Sequence, residues 1–151
     1  MIKEAAIGVD IGGTSVKLGL VGSSGKIIFR EAFTTHQLQG KKGLLEVIVL
    51  HIRELARLSA AHNHRVVGIG IGAPGAIDVD RGFVYFFPNI PGWKDTPLKK
   101  IIERRLGLPV VVDNDANAMA YGEFRFGAGR GSKTIIALTL GTGIGGGIVI
   151  D

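Results

Sequence analysis

Apolar and polar residues along the first 35 positions form short blocks that are separated by glycine turns. Apolar blocks occupy residues 5–10, 16–21 and 26–33, and glycines stand between them at Gly12-Gly13 and at 22–25. Strand-like blocks joined by small glycine-containing loops are typical of β-hairpins. The pattern therefore predicts a meander of three strands.

The pattern changes to a helical period after residue 43. From there to about residue 62, apolar residues recur at spacings of three and four, which predicts an amphipathic helix. Residues 66–71 form an apolar run without alternation, and this predicts a strand that is buried on both faces. Residues 73–93 contain three prolines and several aromatic residues, so we expect a long, ordered loop there.

Helices and strands alternate over the rest of the chain. Thr96 before Pro97 predicts a capped helix that begins at the proline, continues to about residue 106 and ends at Gly107. Further elements are predicted in this order: a buried strand at 109–112, a helix at 115–126, and a hairpin of strands at 134–140 and 144–150. Alternating elements after a meander indicate an α/β layered fold.

The closing hairpin begins a new structural unit. A hairpin is only marginally stable by itself in water. We therefore expect residues 1–113 to form one domain, and residues 114–151 to be the connecting helix and first hairpin of a second, incomplete domain.

Composition narrows the class of protein. Of the 151 residues, 46% are hydrophobic and 21% are charged, which suffices for a packed core. The apolar runs are too short to span a bilayer, and the start lacks the regions of a signal peptide. Cysteine is absent, which excludes disulfides and thiolate metal sites in these residues. The net charge of +5 is spread along the chain, so we expect no binding to nucleic acid. From the short apolar runs and the start of the chain, we expect a cytoplasmic protein that does not bind a membrane.

Glycine is the unusual component, since 24 residues make it about twice as frequent as the usual ~7%. Short bursts of glycine beside apolar runs are typical of turns at which backbone approaches a ligand. Residues 70–75 and 141–146 match G-x-G-x-x-G, but neither segment leads from a strand into a helix, so a dinucleotide site is excluded. The P-loop pattern also fails, because Gly25-Lys26 is followed by isoleucine.

Two glycine turns between strands remain as candidate anion sites. The first is D-I-G-G-T from Asp10 to Thr14, and the second is G-T-G at residues 141–143. Backbone N–H groups in such turns bind anions, and Lys17 adds a positive charge. Asp10 would repel phosphate unless a cation lay between them, which predicts an outer-sphere partner of Mg²⁺. The alternative is two ordinary hairpin turns in which Asp10 and Thr14 bond the turn backbone.

A cluster of carboxylates and amides follows the strand at 109–112. Asp113, Asn114, Asp115 and Asn117 lie at its carboxyl end, the edge at which open α/β sheets bind ligands. These groups bond hydroxyl-rich molecules, and one aspartate can accept the proton of an attacking hydroxyl. Asp115 opens the next helix, whose dipole favours a carboxylate. The alternative role is helix capping, which accounts best for Asp113 taken alone.

The proline-rich segment at 88–93 contributes one more amide. Asn89 lies there among aromatic residues and is either a ligand group or a turn residue. Trp93, at the end of the segment, is expected in the core rather than at a ligand.

Taken in order, these motifs resemble the ROK family (repressor, open reading frame, kinase). The resemblance spans the whole chain and rests on D-I-G-G-T at 10–14 with Lys17, G-A-P-G at 72–75, P-N at 88–89 with Trp93, N-D-A-N at 114–117, and L-G-T-G-I-G-G-G at 140–147. It implies an RNase H-like, actin-like fold, with a mixed sheet that has helices on both faces and a cleft between two domains. It also implies a glucokinase-like enzyme of carbohydrate metabolism and glycolysis, which transfers phosphate from ATP to the primary hydroxyl of a hexose.

The resemblance assigns roles to the candidate residues. Asp115 would be the base that deprotonates the sugar hydroxyl, and Asp10 would lie near Mg²⁺. The phosphates of ATP would contact Gly12, Gly13, Thr14, Lys17, Thr142 and Gly143. The sugar would contact Gly75, Asn89, Asn114 and Asp115.

Members of the family continue with a zinc motif, further sugar contacts and an adenosine-binding segment, none of which is present in these residues. We therefore expect an N-terminal half that is inactive or nearly so alone, with Zn²⁺ and a homodimer or higher homo-oligomer in the full-length protein. One alternative is a sugar-responsive ROK regulator, although only nine residues precede Asp10 where a DNA-binding domain would stand. The other is an actin-like ATPase that does not act on sugar, which Asn89 and the Asn114-Asp115 pair disfavour.

Overall fold

The computed structural model describes residues 1–35, 40–88, 90, 92–140 and 143–151. Its elements, in chain order, are β1 (Lys3–Ile11), β2 (Ser15–Gly22), β3 (Ile27–Thr34), α1 (Gly40–Ala61), β4 (His64–Ala73), β5 (Ala76–Asp78), β6 (Phe83–Phe86), β7 (Lys94–Thr96), α2 (Leu98–Leu106), β8 (Val110–Asn114), α3 (Asp115–Phe126), β9 (Thr134–Leu140) and β10 (Ile144–Ile150). The strands and helices that the sequence predicts are all present, with ends that differ by three residues or fewer.

The main sheet has five strands in the order β3-β2-β1-β4-β8. β1, β2 and β3 pair antiparallel, as the glycine turns predict, and β4 and β8 continue the sheet in parallel on the other side of β1. Parallel neighbours need crossover connections, which the segments containing α1 and α2 supply. The result is a mixed α/β sheet, in agreement with the predicted fold class.

One face of this sheet is covered by α1 and forms the core. Ile7 and Ile11 of β1 are fully buried, and so are Ile48 and Ile52 of α1, all within one hydrophobic cluster. Burying a side chain of this size contributes roughly 1.5–3 kcal/mol. None of the helices that the structure describes, α1 included, is both long enough and apolar enough to cross a membrane.

The opposite face of the sheet is partly open, which corrects one prediction. The sequence predicts that β4 is buried on both faces and that β8 is a buried strand. Instead, Val67, at a bulge in the pairing of β4 with β1, is 41% exposed, and Val111 of β8 is 60% exposed. Ile69 and Ile71 of β4 point into the core, and they alternate with glycines rather than with large side chains. The apolar run therefore reflects glycine on the second face, which α3 approaches closely at Gly72.

Residues 73–93 are not the long loop that the sequence predicts. β5, β6 and β7 form a second, antiparallel sheet in and just after this region. Each strand has only three or four residues, and Gly75 and Gly82 precede two of them with positive φ. Strands this short, broken by glycine and proline, carry too little period-two signal to be recognised in sequence.

Thr96 does not cap α2, which corrects a further prediction. It lies in β7, where its hydroxyl donates to the Lys94 carbonyl (3.1 Å) and accepts from Lys41 Nζ (3.2 Å). Pro97 occupies the N-cap position and makes no side-chain capping bond. Gly107 ends the helix in the left-handed conformation with φ 66°, as predicted.

β9 and β10 form a separate antiparallel pair that packs on α3. One side of the pair contacts the helix, whereas the other side carries six large aliphatic residues that are 65–81% exposed. We call these six residues the open hairpin face: Ile136, Leu138, Leu140, Ile144, Ile148 and Ile150.

Candidate functional site

A row of four residues crosses the main sheet at the carboxyl ends of β1, β4 and β8. Lys17 pairs with Asp10, Asp10 pairs with Gly72, and Gly72 pairs with Asp113. Paired residues on neighbouring strands point to the same side, so the row lies on the face opposite α1. With strands about 4.8 Å apart, the backbones of Asp10 and Asp113 are about 10 Å from each other. Charged residues of the first glycine turn and of the aspartate cluster thus share one edge.

The first glycine turn joins β1 to β2 at this edge. The Gly12 N–H donates to the Ser15 carbonyl (2.9 Å), and a Cβ on Gly12 would lie 2.8 Å from that oxygen, so the turn requires glycine. Thr35, the residue after β3, donates from Oγ1 to the Gly13 carbonyl (2.6 Å) and from its N–H to the Thr14 carbonyl (2.9 Å). The sequence gives no sign of this role for Thr35, because a contact across 22 positions leaves no local pattern.

Asp10 and Lys17 form an exposed ion pair beside this turn. Lys17 Nζ lies 3.6 Å from Asp10 Oδ2, and the two side chains are 67% and 53% exposed. Such a pair contributes at most about 1 kcal/mol, so both groups remain available to a ligand. Among the described residues, no three His, Cys, Asp or Glu side chains converge on a metal position. A cation beside Asp10 would therefore keep most of its water ligands, as Mg²⁺ commonly does.

Asn114 is the N-cap of α3. Its backbone is extended, and its Oδ1 accepts from the N–H groups of Ala116 (3.0 Å) and Asn117 (3.4 Å). The sequence had suggested Asp113 or Asp115 for this role, but the structure gives it to the asparagine between them. The cap uses the amide oxygen, so the Asn114 Nδ2 group takes no part in it.

The two aspartates of the cluster differ in their surroundings. Asp113 is half-buried, and its Oδ1 accepts from the Asn114 N–H (2.6 Å) and from Asn117 Nδ2 (3.2 Å), so it supports the cap residue. Asp115 is exposed, and its Oδ1 accepts from the Ala116 N–H (2.9 Å). Asp115 is the first residue of α3 and lies at the amino-terminal, positive end of the helix dipole. Asp115 is thus the carboxylate of the pair that solvent and a ligand can reach.

β10 runs along α3 in the same direction. A Cβ on Gly145 would lie 3.2 Å from Ala116 Cβ, and one on Gly147 would lie 2.6 Å from Ala120 Cβ. Successive positions on the strand therefore follow successive turns of the helix. β10 begins beside the amino-terminal turn of α3, which is the turn that carries Asp115.

Four predicted site residues remain: Gly75, Asn89, Thr142 and Gly143. Gly143 is exposed and immediately precedes β10, whereas Thr142 and Asn89 lie outside the described residues. Gly75 has φ +92°, and a Cβ there would overlap the Phe86 carbonyl oxygen, so backbone geometry alone requires glycine at this position.

Trp93 is a core residue, as predicted. It is 2% exposed, and its ring stacks on Phe87 with centroids 4.3 Å apart. An open cavity of about 400 Å³ lies against these rings, and its described lining comes from residues 86–94 rather than from the aspartate cluster. We therefore locate the candidate site at the sheet edge and not in this cavity.

Comparison with known proteins adds to this geometry. A glucokinase of Streptomyces coelicolor is 47% identical over 144 residues, which are 95% of this chain and 43% of the relative. A putative xylose repressor of Caldicellulosiruptor is 36% identical over 144 residues, which are 95% of this chain and 36% of the relative. The crystal structure of a ROK family glucokinase from Streptomyces griseus, in complex with glucose and AMPPNP, has a TM-score of 0.78 and 48% identity over 97% of this chain and 44% of that one.

These similarities cover nearly all of the chain but less than half of each relative. The mixed sheet with its helices agrees with the actin-like fold that the sequence motifs imply. The family match extends over residues 6–151, and the chain belongs to the ROK family.

Proposed function

We propose that the whole protein transfers phosphate from ATP to the primary hydroxyl of a hexose similar to glucose. Similarity to glucokinases, one of them crystallised with glucose and AMPPNP, supports a sugar kinase. One observation carries the proposal further. The exposed Asp115 is packed over Gly72, in line with Asp10 and Lys17, at the end of α3 where β10 begins.

The phosphates of ATP would lie between the two glycine turns. Gly13 and Thr14 would offer backbone N–H groups at a turn that Thr35 holds in place. Gly12, whose own N–H bonds the Ser15 carbonyl, would let the phosphate approach the backbone, and Lys17 offers a positive charge. On the opposite side, Thr142 and Gly143 would supply the second set of donors. Mg²⁺ fits beside Asp10, where it would neutralise charge on the phosphate oxygens.

Asp115 would act on the sugar. Its carboxylate accepts the proton of the primary hydroxyl, whose oxygen then bonds to the γ-phosphorus while the bond to the β-phosphate oxygen breaks and ADP leaves. The Asn114 Nδ2 group, which the helix cap does not use, would orient the sugar hydroxyls, together with Asn89 and the backbone at Gly75.

The division of the chain at residue 113 is part of the proposal. Residues 1–113 contain the main sheet and its core, and residues 114–151 contain α3 and the hairpin. The open hairpin face exposes six large aliphatic side chains side by side, and monomeric proteins rarely leave a large apolar patch uncovered. We propose that later sequence of the full-length protein covers the open hairpin face and completes a second domain.

A sugar-responsive regulator is the second candidate. The 36% identity to a putative xylose repressor supports this candidate, because a similar segment occurs in that protein. Such a protein would bind a sugar without forming ADP. The two functions therefore separate in a single assay of ADP production.

The test is Asp115→Asn in the full-length protein. Loss of a positioned base typically lowers the rate by about 10²–10⁴, so we expect kcat for hexose phosphorylation to fall by that factor. Binding of ATP, measured by calorimetry, should change little, because the side chain is isosteric and the phosphate turns are intact. Asp80→Asn, an exposed aspartate outside the row, is the matched control and should keep full activity.

Full activity of Asp115→Asn would remove that residue from the role of base. A wild-type protein that binds a hexose but forms no ADP would instead favour the regulator.

A further inference from the structure

The glycine-rich run of β10 extends beyond the turn that we propose binds phosphate. Gly145 and Gly147 lie inside a regular strand, two and four residues after Gly143. Glycine in a strand interior weakens the strand, and it often marks a place where another backbone approaches closely. Phosphate binding at the turn therefore does not explain these two residues.

The structure shows what approaches them. A Cβ on Gly147 would lie 2.6 Å from Ala120 Cβ, 2.8 Å from the Ala116 carbonyl oxygen and 3.2 Å from Asn117 Cα. A Cβ on Gly145 would lie 3.2 Å from Ala116 Cβ. On the helix side, Ala116 is 6% exposed and Ala120 is fully buried. We call this contact of Gly145 and Gly147 with Ala116 and Ala120 the glycine seam.

The first turn of α3 is thus held from two sides. The glycine seam lies on one side, and Gly72 of β4 lies on the other, where a Cβ would be 3.5 Å from Asp115 Cα. The two contacts differ in tolerance, because 3.5 Å is an ordinary van der Waals separation whereas 2.6 Å is not. The separation of α3 from β10 therefore depends more strongly on the absence of a side chain.

We propose that Gly147, assisted by Gly145, is a positioning residue that sets the distance between α3 and β10. It thereby sets the distance between Asp115, at the start of α3, and Gly143, which immediately precedes β10. This inference rests on the proposed function, since it concerns the alignment of the proposed base with the proposed phosphate site. An added methyl group must lengthen the 2.6 Å contact to about 3.4 Å. A misplacement of about 1 Å can lower the rate of a reaction about 10²-fold.

The first experiment compares Gly147→Ala with Gly122→Ala in the full-length protein. Gly122 lies in α3, the helix that Gly147 contacts, and a Cβ at Gly122 would have open space around it. We expect Gly147→Ala to lower kcat for hexose phosphorylation by about 10–100-fold while the KM values for hexose and ATP change about threefold or less. Gly122→Ala should match the wild type in all three parameters.

A suppressor variant separates positioning from simple destabilisation. Ala120→Gly in the Gly147→Ala background removes the 2.6 Å contact and leaves the 2.8 Å contact with the Ala116 carbonyl oxygen, so it relieves the overlap in part. It also places an extra glycine inside α3, which lowers helix stability. We expect this double variant to recover part of the lost kcat although its melting temperature falls further. A purely structural role would make kcat and melting temperature fall together.

A milder variant keeps the inference testable if Gly147→Ala fails to fold. In Thr139→Ala/Gly145→Ala, the Thr139 hydroxyl that would lie 2.5 Å from the new Cβ is gone. The shortest contact that then remains, apart from those with its chain neighbours, is the 3.2 Å contact with Ala116 Cβ. We expect a kcat between those of the wild type and Gly147→Ala, with Thr139→Ala as control.

The outcomes distinguish the two proposals. A kcat within twofold of the wild type for both Gly147→Ala and the milder variant would overturn the positioning role alone. A wild-type protein that phosphorylates no hexose would overturn the proposed function, and the positioning role with it.

Discussion

The apolar face of the main sheet is buried, whereas the open hairpin face is exposed. On the main sheet, the side chains of β1 and β2 that face α1 are almost completely buried, with exposures of 0–4%. On the hairpin, six aliphatic residues of similar size remain 65–81% exposed. Both surfaces come from the same alternation of large apolar residues along paired strands.

The difference lies in what covers each surface. The α1 helix follows β3 directly in the chain and brings seven buried residues to the main sheet. The described residues contain no element that covers the open hairpin face, since α3 packs on the other side of the pair. Alternating apolar residues therefore predict that one face of a strand pair is covered by another element. They do not indicate whether that element lies within the same stretch of chain.

The largest effect is expected in the core beneath α1. Ile48→Ala should lower the free energy of unfolding of the 151-residue chain by about 2–5 kcal/mol, because it removes a fully buried side chain and leaves a cavity. Urea denaturation followed by circular dichroism measures this change. A loss below about 1 kcal/mol would show that the α1 face is not the closed core described here.

A smaller effect is expected where Thr35 holds the first glycine turn. Thr35→Val removes the 2.6 Å bond to the Gly13 carbonyl and keeps the shape of the side chain, so it should cost about 0.5–1.5 kcal/mol. Thr34→Val, at the exposed neighbouring position of β3, is the matched control. In the full-length protein we also expect a higher KM for ATP with Thr35→Val alone. Equal behaviour of the two variants would exclude a role of Thr35 at the turn.

A still smaller effect is expected on the open hairpin face of the 151-residue chain. Ile148→Ala should change its free energy of unfolding by less than about 1 kcal/mol, because the side chain is 65% exposed. In the full-length protein, the same substitution should cost about 2–5 kcal/mol if later sequence covers this face. Equal costs in the two proteins would contradict the proposal that the face is buried by a second domain.

The smallest effect is expected on the solvent side of α1. Arg57 donates hydrogen bonds to Glu54, which lower the pKa of that carboxyl, with the nearby positive charge acting in the same direction. A pKa lowered in the folded state stabilises the protein above the unfolded pKa of 4.5, and this contribution disappears as the pH falls through the folded pKa. Arg57→Ala should therefore lower the melting temperature slightly at pH 7 and less at pH 3. A gap that widened at pH 3 would contradict this assignment.

Much of the fold could be predicted because its signals are local. The helical period of α1, the glycine that ends α2 and the glycine turns between β1 and β2 each occupy a few consecutive residues. The β5–β7 sheet was missed because its strands are too short to show a period. The partly exposed face of β4 could not be predicted, because glycines such as Gly70 and Gly72 are compatible with a strand face that is either covered or open.

The residues of the candidate site also differ in whether a local sequence signal reveals them. Asp10, Lys17 and Asp115 could be proposed as site residues because they adjoin glycine turns or strand ends in the sequence. The structure places Asp10 and Lys17 at the same sheet edge as the aspartate cluster. The bonds of Thr35 and the contacts behind the positioning role that we propose for Gly147 could not be predicted, because each joins residues more than twenty positions apart. Which asparagine or aspartate caps α3 was also beyond the sequence, since three neighbouring residues are all capable of it.

The proposed function requires that Asp115 faces a sugar hydroxyl while the two glycine turns hold the phosphates of the nucleotide. A crystal structure of the full-length protein with glucose and AMPPNP tests it most directly. We predict an Asp115 carboxylate oxygen within about 2.6–3.2 Å of the primary hydroxyl of glucose, with the γ-phosphate between the turn at 12–14 and Gly143. An Asp115 carboxylate with no sugar hydroxyl in hydrogen-bond reach, or phosphates bound away from both turns, would contradict it.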